Sequence, residues 1–345
     1  MYQFSDLFHC TKKNNTILIF EPDNCHHECT PGYSKYFIDL GYNVDILFHF
    51  SGISSFYLFH KVSNIRLFIF NDLKQIKDNT KNLSSIIKNY DFFLLETTDY
   101  NKKKLNIDLG LFKINNSIFV FHYMTFIDAD YSKYLNKSRI WTLGNVSKGL
   151  QVNPHYFGNI TIKCKNNKVR FFLTSTYKRN YDYIIKAVEK LKHDNLNFEI
   201  IITGRTTTFN KQKVPQNISD YFIFKLNISY NDMYHEIENS DYIIITLDPQ
   251  NSFDYQYKSI RVTGSMQLVL GFLKPALINE EFAGFYSLNN ENSLIYNNYN
   301  FYDIMKKAIL LNKKDYSKFQ NKLGELEKEV YQNSITNIKK IIPYI

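Results

Sequence analysis

Thr263, Gly264 and Ser265 stand between a buried-strand run, YIIITLD from Tyr242, and a short apolar helical pattern that leads into the strand signal KPALI. Small and hydroxylic residues at the start of a helix leave its first backbone N–H groups pointing outward, which suits a phosphate. An ordinary N-cap uses the same residue types; the position at a strand's carboxyl side favours the anion. Tyr257 and Lys258 come just before this turn and could reach a sugar or a phosphate. Asp248 follows the strand ahead of Pro249, where it could accept hydrogen bonds from sugar hydroxyls or cap a turn. The stretch predicts a phosphorylated ligand, such as an activated sugar nucleotide.

A second cluster, C-H-H-E-C from Cys25 to Cys29, has zinc-ligand chemistry. Neighbours this close rarely share one ion and no second Cys/His pair follows nearby, so no metal is expected there.

The elements that must position these residues alternate between strand and helix, twice over. TILIF (16–20) is a buried-strand run, followed by a Pro-Gly loop, a helix over about 33–40 and Gly41 at its C-cap. VDILF, IRLFIF, DFFLLE and IFVFH continue a parallel sheet with crossovers. Residues 153–168 break into Pro, Gly, Asn and Lys, as a linker does. VRFFL (169–173), a helix over about 180–193, FEIIITG (198–204), YFIFKL (221–226), a helix over 230–238, YIIIT (242–246), a helix over 265–272 and PALI form the second series. A charged helix over about 316–341 closes the chain.

Length agrees with two units: 345 residues exceed one ordinary core and predict domains of roughly 150 residues each. Apolar residues at 44% and aromatics at 17% allow extensive burial and argue against disorder. Abundant Tyr and Phe beside abundant Asn and Lys read as a coding bias, which weakens any aromatic residue as a sign of ligand stacking. The net charge of +9 suits an anionic partner. No basic run exceeds Lys102–Lys104 and no nucleic-acid motif accompanies it, so nucleic acid is not expected. Four cysteines are too few for a disulfide scaffold, and neither a secretory leader nor a membrane span is visible. A cytoplasmic protein is expected, with peripheral contact at the inner face of the membrane as an option and the oligomeric state open.

In order and spacing the chain resembles GT-B glycosyltransferases over nearly its whole length, most clearly in the second half. VRFFLTSTYKRNYDYIIKAVEKL is similar to the strand, basic loop and helix that open that family's donor domain. FEIIITG, then NISYNDMYHEIENSDYIIITLDP, are similar to its following elements, and GSMQLVLGFLKPALI to its phosphate-site helix and G-K-P turn. The resemblance implies an α/β GT-B fold: two Rossmann-like domains with a deep interdomain cleft and a long C-terminal helix. It implies an acceptor domain over 1–158, a nucleotide-sugar donor domain over 168–315, and a terminal helix over 316–345 that crosses back to the first domain.

The same resemblance sets Lys178 and Arg179, and less directly Arg205, against the donor diphosphate, with Asp248, Lys258, Thr263, Gly264 and Ser265 completing the donor site. It turns the loop of His27 and Glu28 toward the cleft, making either a candidate base for the acceptor hydroxyl, and gives His122 a donor-sugar contact. The paired glutamates of many retaining members are missing between Asp241 and Pro275, which leaves the stereochemistry open. Asp128-Ala129-Asp130 resembles the metal motif of GT-A enzymes, but a second Rossmann half fits only GT-B, so it reads as a helix start.

The expected activity is transfer of a sugar from a nucleotide sugar to a carbohydrate or lipid-linked glycan, in bacterial surface polysaccharide, lipopolysaccharide or capsule assembly. No cofactor and no essential metal are expected. A nucleotide-sugar 2-epimerase on the same fold, or a two-lobed protein that binds a phosphorylated ligand without chemistry, are the alternatives.

Overall fold

The computed structural model describes residues 1–11, 14–23, 26–56, 62–98, 116–122, 137–144, 149–175, 179–205 and 214–342. They form two compact units. The first comprises Met1–Asn159, Ile260–Val262 and Val330–Ile345, and the second Ile160–Ser259 and Thr263–Glu329.

The first unit is built on a parallel sheet in the order β1-β4-β3-β2-β5-β6-β7-β8. Its strands are β1 (Tyr2–Gln3), β2 (Thr16–Glu21), β3 (Asn43–His49), β4 (Ile65–Phe70), β5 (Phe92–Leu95), β6 (Ser117–Phe121), β7 (Ile140–Thr142) and β8 (Leu150–Gln151). β2 is buried along its whole length, the continuous apolar run of a strand covered on both faces. Strand order reverses between β2 and β5, which pair directly, Ile17 with Phe92 through Phe20 with Leu95. Outside the carboxyl ends of strands at such a reversal, open α/β sheets hold their ligands.

Helix α1 (Thr30–Asp39) follows β2 and begins earlier than the sequence predicts, because Pro31 fits the first turn, where its missing N–H costs nothing. Gly41, at φ 87°, closes it. Gly32 lies against the backbone of Pro154, where a Cβ would come within 2.5 Å of the carbonyl carbon. Helices α2 (Leu73–Asp78) and α3 (Thr80–Ile87) pack beside Phe4, Leu7 and Tyr90 on the opposite core.

The second unit repeats the plan with a sheet ordered β11-β10-β9-β12-β13-β14. These are β9 (Val169–Ser175), β10 (Phe198–Gly204), β11 (Phe222–Leu226), β12 (Tyr242–Ile244), β13 (Ala276–Asn279) and β14 (Leu294–Tyr296). Helix α4 (Asp182–His193) buries Ile184, Ile185, Ala187, Val188 and Leu191, one apolar face at helical spacing. It shares its core with α8 (Phe301–Leu310), while α5 (Tyr230–Glu238), α6 (Gly264–Phe272) and the single turn α7 (Glu280–Ala283) complete the unit.

Helix α9 (Lys313–Lys339) starts three residues before the predicted helix. Tyr316 lies in the core of the second unit, whereas Ile335 and Ile338 belong to the core of the first. YIIIT is a strand only over Tyr242–Ile244, and β7, β8 and β14, short and without a clear apolar period, were not read from the sequence.

Candidate functional site

In the second unit, α6 opens at the carboxyl side of β12. Thr263 occupies its N-cap in an extended conformation (φ −75°, ψ 135°) and makes no side-chain cap hydrogen bond. Its own N–H donates to the Tyr286 hydroxyl at 3.3 Å, which fixes the entry of the helix. Gly264 is exposed, and a Cβ there would meet nothing within 4 Å. Ser265 is half-buried. The first turn thus presents backbone donors to open space, with the positive end of the helix dipole behind them.

The expected cations are placed differently from one another. Arg205 is exposed at the end of β10. Lys178 lies outside the described residues, as do Asp128, Asp130 and Cys25. Arg179 is enclosed and ion-paired to the fully buried Asp254, with its guanidinium 5.0 Å from the centre of the Tyr257 ring. Asp254 also accepts a hydrogen bond from the Asp248 N–H at 3.0 Å, so the pair links the loops that follow β9 and β12. Lys258 contacts Glu281 at 2.5 Å and lies over the rings of Tyr255 and Phe282. Asp248 accepts from the Gln250 N–H at 2.9 Å and from the Asn180 amide at 3.3 Å.

In the first unit the loop between β2 and α1 carries His26, His27 and Glu28. His27 is 1% exposed, and neither ring nitrogen has a hydrogen-bond partner. Its ring lies edge-on to Phe48 and against Gly52, where a Cβ would fall 2.5 Å from the imidazole, so the glycine makes room for it. Burial pushes its pKa down to about 4, which keeps the ring neutral near pH 7 and makes it a weak proton acceptor while enclosed.

Glu28 faces Nδ1 of His26 at 3.5 Å, and the His26 ring lies 4.4 Å from that of His122, tilted by 32°. His122 is half-buried with Nε2 shielded from solvent. Burial, and then the His26 ring, hold its pKa well below the usual value; Glu28 opposes this and Arg261 adds to it. The fold therefore gathers Glu28 and His122, both read from the sequence, with His26 and Arg261, which were not chosen as site residues.

The sequence reading also missed Glu21 and Glu96. Both are fully buried, at the ends of the two strands between which the sheet order reverses. Glu21 accepts from the Thr97 hydroxyl at 2.5 Å and the Asp23 N–H at 2.7 Å; Glu96 accepts from the Thr30 hydroxyl at 2.6 Å and hydrogen-bonds Glu21. Burial pushes Glu96 up to about 8, and burial plus the charge of Glu96 pushes Glu21 well above the carboxylate range. Two carboxyls this close do not both ionise near neutral pH. The backbone beside them is strained, with Thr97 at φ 47° and His26 at φ 71°. A β-branched residue at positive φ is an outlier of the kind that collects at functional sites. An acid at the end of a strand looks like any exposed terminus in a sequence; only the pairing across the reversal shows what it is.

Among the described residues no group of three or more His, Cys, Asp or Glu side chains is placed to hold a metal ion, and no helix is long and apolar enough to cross a membrane.

No family model and no curated protein matches the chain in sequence. Solved structures do match it in fold. A crystal structure of TarM aligns over 95% of this chain and 99% of its own, at 10% identity and a TM-score of 0.62. Anabaena HepE in complex with UDP and glucose aligns over 95% and 99%, at 9% identity and 0.58. A UDP-N-acetylglucosamine 2-epimerase aligns over 96% of both chains, at 12% identity and 0.51.

Proposed function

The chain has the GT-B fold, and from that premise we propose that it is a glycosyltransferase, moving a sugar from a nucleotide sugar held on the second unit to an acceptor hydroxyl presented by the first. The observation that carries the reading is the open amino end of α6 at the carboxyl edge of its sheet, where Thr263 makes no side-chain cap hydrogen bond and Gly264 faces open space. A neighbour of the same fold holds UDP and glucose, which supports a nucleotide-sugar donor.

In this reading the backbone donors of Gly264 and Ser265, with the Ser265 hydroxyl, stabilise the departing diphosphate. Arg205 and Lys178 supply positive charge. Arg179 acts through Asp254 by fixing the loops around the donor, and Lys258 lies beside them. Backbone donors and cations can hold a diphosphate by themselves, so the proposal includes no resident metal and no cofactor. Glu28, with His26 and His122 about it, is the group we assign to the proton of the acceptor hydroxyl, because His27 is enclosed and both its ring nitrogens are shielded from a substrate. The acceptor we assign is a carbohydrate or lipid-linked glycan.

Ligands that bind only the folded state raise its melting temperature by mass action. UDP at about 100 times its Kd is expected to add about 2.7 kcal/mol to the stability, and Gly264→Asp, which sets a carboxylate at the α6 amino end, is expected to abolish that gain. If none of the uridine, guanosine, cytidine or adenosine diphosphates shifted the melt, the donor site would be wrongly placed.

A further inference from the structure

Two features of the loop between β2 and α1 are unfavourable in themselves. His26 holds a left-handed backbone at φ 71°, and His27 is buried with neither ring nitrogen hydrogen-bonded. Each costs free energy, so the conformation persists only where its surroundings impose it. The backbone bonds into α1, from the Cys29 N–H to the His26 carbonyl at 2.9 Å and from the Thr30 N–H to that of His27 at 3.3 Å, are local and leave the loop to be anchored elsewhere.

The two buried glutamates anchor it to the sheet. Glu21, the last residue of β2, accepts from the Asp23 N–H where the loop leaves the strand. Glu96, just beyond β5, accepts from the Thr30 hydroxyl where the chain enters α1. Glu21 also accepts from the Thr97 hydroxyl, and the two carboxyls hydrogen-bond each other across the paired strands. One pair of side chains thus grips the loop at both ends. Asp23 acts on Glu21 and Glu28 on Glu96, each as a like charge, while Tyr33 of α1, held neutral by burial, feels both glutamates from the helix. A shared proton, rather than a countercharge, therefore joins the carboxyls.

Between the two grips lie His26 and Glu28, 3.5 Å apart, with the His26 ring against that of His122. We propose that Glu21 and Glu96 are positioning residues: their hydrogen-bonded pair clamps the loop at Asp23 and at Thr30, and so sets Glu28 for the acceptor hydroxyl and keeps His26 on His122. Both glutamates are fully buried and act only through the loop. The proposal rests on the transferase reading only for the work given to Glu28.

Hydrogen exchange and imidazole NMR on the full chain test the clamp with Glu96→Ala, Thr30→Val and Glu96→Gln. The alanine removes one half of the pair, and the valine removes the gripped hydroxyl at nearly constant shape. In Glu96→Gln the carboxamide oxygen can still accept from Thr30 and its NH2 can donate to Glu21, so the clamp survives without the proton. Amide exchange at Asp23 and 26–30 is expected to quicken about tenfold in the first two variants, the worth of one buried hydrogen bond. It should keep the wild-type rate in the third, and the amides of α4 should not change in any. His122, held well below the ordinary 6.5 by burial and then by the His26 ring, and His27, held at about 4 by burial, are expected to titrate nearer 6.5 in Glu96→Ala and Thr30→Val only. A mere loss of stability would leave both titrations in place until the chain unfolds. Unchanged exchange and titrations in all three variants, or the same change in Glu96→Gln as in Glu96→Ala, would overturn the clamp. The expected pattern in a protein whose melt no nucleoside diphosphate shifts would uphold the clamp and overturn the nucleotide reading instead.

Discussion

Replacing Arg179 by alanine is expected to destabilise the second unit by about 3–5 kcal/mol, the usual cost of stranding a buried charge. The Arg179 side chain is 5% exposed and that of its partner Asp254 is fully buried. Truncating Arg179 leaves the carboxylate with the Asp248 N–H but without a countercharge. Burial already pushes the Asp254 pKa above its usual value against the pull of its partners, and losing Arg179 removes part of that pull. Chemical denaturation of Arg179→Ala, and of Arg179→Ala combined with Asp254→Asn, checks this. The double variant, with no stranded charge, should recover most of the loss. If the single variant melted like the wild type and lost only nucleotide affinity, Arg179 would be a direct phosphate ligand rather than a brace for the loops.

Glu96→Gln is expected to stabilise the protein, and to do so far more at pH 8 than at pH 5. The folded chain keeps the Glu96 proton up to about pH 8, while the unfolded chain releases it near 4.5. The contribution of a group whose pKa is raised on folding is fully present below the unfolded value and is lost as pH rises through the folded one. Glutamine cannot ionise and escapes that loss, so the gap between variant and wild type should open from about pH 5 and reach on the order of 4 kcal/mol by pH 8. His27 runs the other way: its folded pKa of about 4 makes stability rise between about pH 4 and 6.5. Subtracting the variant from the wild type at each pH cancels that contribution. Trp141, the single tryptophan, is fully buried 6.2 Å from the Tyr33 ring, and the two buried glutamates act electrostatically on Tyr33, so its fluorescence follows unfolding from beside the pair. A wild type no less stable than the variant at pH 8 would mean that the pair does not share protons as described.

The double α/β alternation was legible because fully covered parallel strands read as unbroken apolar runs, as TILIF and FEIIITG do. The amino end of α6 was legible too, since Thr-Gly-Ser between a strand and an apolar helix carries its own geometric meaning. What a sequence hides is pairing at long range. Arg179 reads as a free cation beside a strand, and only the folded chain sets it on Asp254. Glu21 and Glu96 read as ordinary strand ends, and only sheet order makes them neighbours. His27 reads as a loop base, yet Phe48 and Gly52 enclose it. Asn180, Asn279, Asn297 and Asn298 line one cavity from three separate loop ends, and only the last two are neighbours in the sequence.

Incubating the protein with UDP-glucose, with and without a glycan acceptor, and following nucleotide and sugar together by NMR tests the proposed transfer. Release of UDP that depends on the acceptor is expected, matched by new signals from a glycosidic bond. Accumulation of a 2-epimer in the absence of acceptor, with the sugar–nucleotide bond conserved or UDP released only as a by-product, would contradict it and assign the chain to the epimerase chemistry found on the same fold.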